Sequence, residues 1–245
     1  MQKRSHISIA LFAILMISHI SYAHAQSLEK TLFITETLPP YNYIENGTLI
    51  GTSVDILLRS LSAVNVHKKS TDIKVYPWAR AYKILITTPN TCTLSTVKSP
   101  EREHLFKWVG PIDNYTCSFI RKNKANNINE FVDTHKYKIG AIRKSIAEEW
   151  LISNGHNIDQ SSSLEQLLRK IDKGRINLIF SNSNAVFALM PKLGINPENY
   201  TIINTLNVGK IYFACNKDTH DSVIQKFQKG IDIIYQKNKI IKEEY

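Results

Sequence analysis

The chain has 245 residues, 43% of them hydrophobic, and its 31 Lys and Arg against 21 Asp and Glu give a formal charge of +10. That apolar content supplies one or two packed cores and excludes a disordered chain. The basic residues are spread out, with no basic tract and no nucleic-acid motif, so the charge reads as a solvated Lys- and Asn-rich surface and nucleic acid is not expected as a partner.

Residues 1–25 have the make-up of a cleavable signal peptide. Lys3 and Arg4 form a basic start, Ile7 to Ile17 is a short apolar run, and Ala23-His24-Ala25 is a small-residue cleavage site. The mature chain is expected to begin at Gln26, with a charge of +8 (29 basic against 21 acidic residues). An uncleaved anchor helix is the other reading. No later stretch is apolar enough to cross a membrane, so export followed by life in solution is expected.

Thr31 to Thr35 reads as an apolar strand, followed by a loop that Pro39 and Pro40 hold extended. Glu36 and Tyr41 fall at the carboxyl end of that strand, where α/β sheets place their ligands. Asn46-Gly47 is a turn, and Gly51-Thr52-Ser53 opens a helix with Val54, Leu57, Leu58, Leu61 and Val64 on one face. A strand at 73–76, a helix from Pro77-Trp78 and a strand at 92–97 complete a β-α-β-α-β unit with a parallel sheet.

The stretch Cys92 to Ile112 ends its strand at Lys98-Ser99-Pro100. Ser99 suits a helix N-cap, Pro100 the first helical position, and Glu101 the first turn. Arg102 then stands at the mouth of a helix, where a guanidinium and unpaired backbone N–H groups form an anion site suited to a carboxylate. A surface arginine on a short helix, paired with Glu101 or Glu103, is the alternative.

A second α/β unit follows: a strand at 113–122, a short helix at 129–132 and a strand at 137–142. Capped helices start at Ser145 (with Glu148) and Ser163 (with Gln166). A buried strand over 177–180 leads to a helix capped by Asn182 or Ser183. Strands at 202–204 and 210–215 and a helical tail from Asp221 end the chain. Cys92, Cys117 and Cys215 are an odd number, so two can pair and leave one free. Their spacing is no metal motif, and the eight His form no HxxxH pair, so neither a metal nor a cofactor is expected.

Taken in order, TETLPPYNYIENGTLIGTSVDIL (35–57), YPWARAY (76–82), STVKSPEREHLFKWVGPI (95–112), YKIGAIRKSIAEEWL (137–151) and KGRINLIFSNS (173–183) resemble the bacterial extracellular solute-binding proteins of the polar amino acid type (family 3), the substrate-binding components of ABC importers. The resemblance covers essentially the whole mature chain. It implies a type II periplasmic-binding-protein fold: two α/β lobes, each a mostly parallel sheet flanked by helices, joined by two crossing hinge strands. Lobe one would be 26–115 plus 214–245, and lobe two 116–213. It also implies a monomer in the periplasm that captures a small polar or anionic solute and partners a membrane permease, without enzymatic activity.

By the same resemblance, Arg102 matches an arginine that clamps a ligand carboxylate, Ser95 a position binding through its backbone, and Glu36 an acidic or polar position. Trp78 and Tyr41 lie near stacking positions, and Arg143 and Ser145 match residues that meet the ligand from lobe two. Val97 stands where many relatives have threonine, and Asn182 where they have the aspartate that takes the ligand ammonium. Arg80, Arg102 and Arg143 together favour an anionic ligand if all three face the cleft. Trp78 reads equally as core, Arg80 as a solvated charge and Asn182 as a plain cap; Tyr41 is expected to face the cleft. Cys117 and Cys215 fall on the two crossing strands, where a disulfide is conceivable and buried free thiols are the alternative. A dehydratase-like enzyme with Glu36 as acid/base and Arg102 as clamp, and a sensory protein without transport, are the other functional readings.

Overall fold

The first half of the chain begins with β1 (Leu32–Thr35), which runs into the Pro39-Pro40 loop in a computed structural model that describes residues 27–123 and 131–243. The expected leader and the start at Gln26 lie outside the described residues, as does the first part of the helix expected at 129–132; residues 131–136 form a 3-10 turn. A hairpin, β2 (Tyr43–Glu45) and β3 (Thr48–Ile50), folds about Asn46-Gly47, both at positive φ. Next come α1 (Thr52–Ala63), β4 (Lys74–Val75), α2 (Trp78–Thr87), β5 (Thr91–Lys98) and the single turn α3 (Pro100–Glu103). The long strand β6 (Phe106–Lys122) leads away from this half.

The second half holds β7 (Lys138–Ile142), α4 (Ile146–Ser153), β8 (Asn157–Ser161), α5 (Leu164–Asp172), β9 (Leu178–Ser181) and α6 (Ser183–Leu189). The strand β10 (Tyr200–Asn216) returns to the first half, where α7 (Asp221–Glu243) closes the chain.

The sheet order is β4-β1-β5-β10-β6-β9-β7-β8. β4, β1 and β5 are parallel, and so are β9, β7 and β8; each set is the centre of one α/β lobe. Between them β6 and β10 pair antiparallel from Phe106↔Asn216 to Lys122↔Tyr200, with register shifts at Ile202/Asn204, Asn207/Gly209 and Ile211/Phe213. These are the two strands that cross from lobe to lobe. They are longer than the sequence pattern implied: the separate strands expected at 202–204 and 210–215 are one strand, and the 113–122 strand begins at Phe106. The middle of β10 is half-exposed, so no apolar alternation marks it.

Leu28, Phe33, Leu57, Leu61, Phe213 and Phe227 form a core between the lobe-one sheet and the α1/α7 pair. A second core runs through both lobes, including Ile34, Leu85, Phe119, Leu167, Phe180 and Val186. Cys92 and Cys215 are register partners on β5 and β10 and form a disulfide. Cys117 is the free, buried thiol. This corrects the Cys117–Cys215 pairing and the all-thiol alternative: β10 lies between β5 and β6, and its register sets Cys215 opposite Cys92 on one side and Lys107 on the other. Among the described residues no helix is long and apolar enough to cross a membrane, and no group of three His, Cys, Asp or Glu could hold a metal ion.

Candidate functional site

Arg102 is set by the break after β5. Ser99 is extended, Pro100 starts α3, and the backbone N–H groups of Arg102 and Glu103 both donate to the Ser99 carbonyl (3.0 and 2.9 Å). The expected cluster of free N–H groups is corrected accordingly: α3 is one turn, and these two donors are engaged within it. What the turn does is aim the Arg102 side chain into the seam between the lobes. Its guanidinium carbon lies 5.3 Å from the Tyr82 ring centre and 5.8 Å from that of Trp78, and the residue is only 2% exposed.

The guanidinium reaches lobe two. Nε donates to Glu149 Oε2 (2.9 Å), and Nη2 donates to Glu149 Oε1 (2.8 Å) and to the Lys144 carbonyl (2.9 Å). Trp78 Nε1 donates to the same carbonyl (2.6 Å). A two-pronged guanidinium–carboxylate pair of this kind is strong and directional. Its arginine side is buried while the Glu149 side chain is 25% exposed, so deleting Glu149 alone strands a buried guanidinium and costs up to about 3–5 kcal/mol, and deleting Arg102 alone costs less.

Beside this pair lies a cavity of about 320 Å³ between the lobes, bordered by Glu36, Tyr76 and Trp78 from lobe one and Ser163, Leu164 and Glu165 from lobe two. It sits at the carboxyl ends of parallel strands, as α/β architecture dictates. Tyr76 N–H donates to the Thr35 carbonyl (2.8 Å), which draws the end of β4 against the end of β1. Asn42 Nδ2 donates to the Glu36 carbonyl (2.8 Å) and fixes the other wall. The Glu36 carboxyl has no hydrogen-bond or ion-pair partner among the described residues. Burial pushes its pKa up to about 8, against the pull of Arg102, although the residue keeps partial exposure where it borders the cavity.

The remaining expected residues stand apart from this cavity. Tyr41 is buried, 6% exposed, with its ring 5.9 Å from that of Tyr115, which corrects its expected exposure to the cleft: the Pro39-Pro40 turn folds it inward. Ser95 has a left-handed backbone (φ 52°), and its hydroxyl is bonded to Asn42 and Ser53, so it braces the Glu36 loop. Val97 is core, paired with Ile211. Arg80 is exposed with its guanidinium over the Tyr76 ring (4.7 Å), and exposed Arg143 donates to Gln160 Oε1 (3.2 Å). The convergence of three arginines is therefore corrected to one, because both of the others point to solvent. Ser145 accepts from Glu148 N–H as the cap of α4. Asn182, 1% exposed, caps α6 by accepting from Ala185 N–H and donates to the Thr116 carbonyl (3.0 Å).

Glu149 is the residue at this seam that sequence reasoning missed. The signal available was the pair Glu148-Glu149 in the first turn of a capped helix. Glu148 folds back onto Lys144 N–H (2.7 Å) and is buried, which leaves its neighbour to project across the seam.

No protein-family model matches the chain, and no curated protein sequence matches it. Solved structures do. The arginine-, lysine-, histidine-binding protein from Geobacillus stearothermophilus is 13% identical, with 86% of this chain and 91% of that one covered at a TM-score of 0.73. The substrate-binding protein of an amino acid ABC transporter is 15% identical, with 86% and 96% covered at 0.72. A histidine kinase sensor domain with similarity to periplasmic binding proteins is 14% identical, with 86% and 92% covered at 0.75. At such identities the likeness is one of fold: the chain has the two-lobed fold of the periplasmic binding proteins.

Proposed function

We propose that this is a periplasmic solute-binding protein that closes its two lobes over a small polar, carboxylate-bearing solute, an amino acid or a related organic acid, and presents it to an ABC-type permease. The observation that carries the reading is Arg102: a guanidinium 2% exposed, held against the adjacent rings of Trp78 and Tyr82 at the lobe seam, and already shaped around a carboxylate from the opposite lobe. The binding proteins for arginine and other amino acids that share the fold support it. In this reading the mature chain starts at Gln26 and acts as a monomer. Residues 26–115 with 214–245 form one lobe and 116–213 the other, and closure is a hinge motion about β6 and β10. A sensory role for the same cleft is the second reading, favoured by the likeness to a kinase sensor domain.

The test is a melting screen of residues 26–245 against the twenty protein L-amino acids and small organic acids. A true ligand at 100 times its Kd stabilises by about 2.7 kcal/mol, or roughly 5–10 °C for a chain of this size. Arg102→Ala is expected to abolish that shift. A flat screen would remove the reading.

A further inference from the structure

Residues 144–149 of lobe two present two acceptors to lobe one, the Lys144 carbonyl and the Glu149 carboxylate. Together they take the N–H groups of Arg102 Nε, Arg102 Nη2 and Trp78 Nε1 at 2.6 to 2.9 Å. The local backbone is shaped for that reach. Lys144 has a left-handed conformation (φ 63°), uncommon for a residue with a Cβ. Its N–H donates to Glu148 Oε2 (2.7 Å), and Glu148 N–H donates to the Ser145 hydroxyl (3.2 Å). Both bonds tie Glu148 back into its own lobe, while the Lys144 carbonyl and the Glu149 carboxylate face the other.

We infer that Glu149 is an internal competitor for the Arg102 clamp: its carboxylate latches the two lobes together, and a carboxylate-bearing solute has to displace it. The latch itself needs only the two-lobed fold; its part as competitor rests on the solute-binding reading above. The unequal burial of the pair fits a partner that leaves. The Arg102 side chain is 2% exposed and the Glu149 side chain 25%, so the guanidinium is the fixed half and the carboxylate the half already in touch with water. The cost of a stranded charge belongs to the closed arrangement, because both groups regain water once the lobes part. A charged, two-pronged contact of this kind favours the latched form by about 10–100-fold. The apparent affinity for a solute falls by the same factor, since only the unlatched fraction is competent to bind.

Other polar contacts across the seam are weaker. Lys192 Nζ of lobe two lies 5.4 Å from the Tyr43 ring of the lobe-one hairpin, but Lys192 is exposed, where a cation over a ring contributes little. The ion pairs Lys107–Asp221 and Lys122–Asp172 each stay within one lobe, whereas Arg102–Glu149 spans two. A small cavity of about 170 Å³, bordered by Ser99, Glu149 and Trp150, lies beside the pair and gives the Glu149 side chain room to withdraw.

Small-angle X-ray scattering on residues 26–245, refolded from urea to strip any retained solute, tests the latch. Wild type is expected at the compact radius of gyration, roughly 17 Å for a chain of about 220 residues. Glu149→Ala and Arg102→Ala should both be larger, and alike, because each removes one half of the same contact. An unfolded chain of this length measures roughly 50 Å, so a variant that fails to fold is told apart at once. Glu149→Gln, which keeps the reach and loses the charge, is the second variant for that case and should open part-way. Equal radii for wild type and the folded variants overturn the latch. The competition is read by calorimetry with any carboxylate solute that the melting screen finds, run on wild type and Glu149→Ala. The variant should bind about 10–100-fold more tightly. Equal or weaker binding by Glu149→Ala overturns the competitor role while the solute-binding reading stands. A screen flat for both proteins removes the solute-binding reading alone, and the scattering still decides the latch.

Discussion

Glu36 is a partly buried carboxyl, and the cation that acts on it, Arg102, is already neutralised by Glu149. Its folded pKa of about 8 lies above the ordinary 4.5, so the fold favours the protonated form. The resulting stability is fully present below pH 4.5, declines as the pH rises, and is gone above about 8. Glu36→Gln fixes the neutral state. Its melting temperature should match wild type near pH 5 and exceed it near pH 9 by a few degrees, the equivalent of about 1–2 kcal/mol. Melting curves of both proteins across that range check it, and a constant gap would show that Glu36 is not held neutral. Arg102 was legible at this scale because a strand end, a proline and an arginine follow one another in sequence. Glu149 was not, because its partner lies 47 positions away and only the docking of the lobes brings them together.

At the scale of elements, helix starts were readable because the cap is a local bond: Ser145, Ser163 and Asn182 each accept from a backbone N–H three residues on. β8, with the polar sequence NIDQS at the sheet edge, and the short β2–β3 hairpin carry too few buried residues to show a strand pattern. Helix packing was equally hidden. α7 crosses α1 at Gly230, where an added Cβ would stand 2.2 Å from the Ser60 carbonyl oxygen. That oxygen belongs to the helix backbone at Ser60, on the buried face of α1, and cannot swing away. Gly230→Ala gains up to about 1 kcal/mol of helix propensity and meets an overpacking cost of about 1–3 kcal/mol or more. The net is a lower urea midpoint with an unchanged slope. A midpoint equal to or above wild type would mean that α7 can shift freely on α1.

At the scale of the whole molecule, the Cys92–Cys215 bridge joins positions 123 residues apart, and the closed loop contains all of the second lobe. The odd cysteine count was plain in the sequence. The pairing was not, because it follows from the register that sets β10 against β5, a long-range fact with no local sign. In the chain-entropy account a loop of this length limits the unfolded ensemble by up to about 5 kcal/mol, and removal of a native bridge typically costs about 2–5. Cys92→Ala with Cys215→Ala should therefore melt roughly 5–15 °C below wild type. Thiol counting separates this pairing from the alternatives. The native protein should show no reactive thiol, since Cys117 is buried and its pKa is driven upward by burial. Unfolding without reductant should release one thiol, and Cys117→Ala should abolish that signal. Cys92→Ala should instead expose a second thiol after unfolding, from the unpartnered Cys215. If Cys117→Ala instead raises the count to two, Cys117 is one end of the bridge, the bridge is drawn between the wrong strands, and the register of β10 between the two lobes must be redrawn with it.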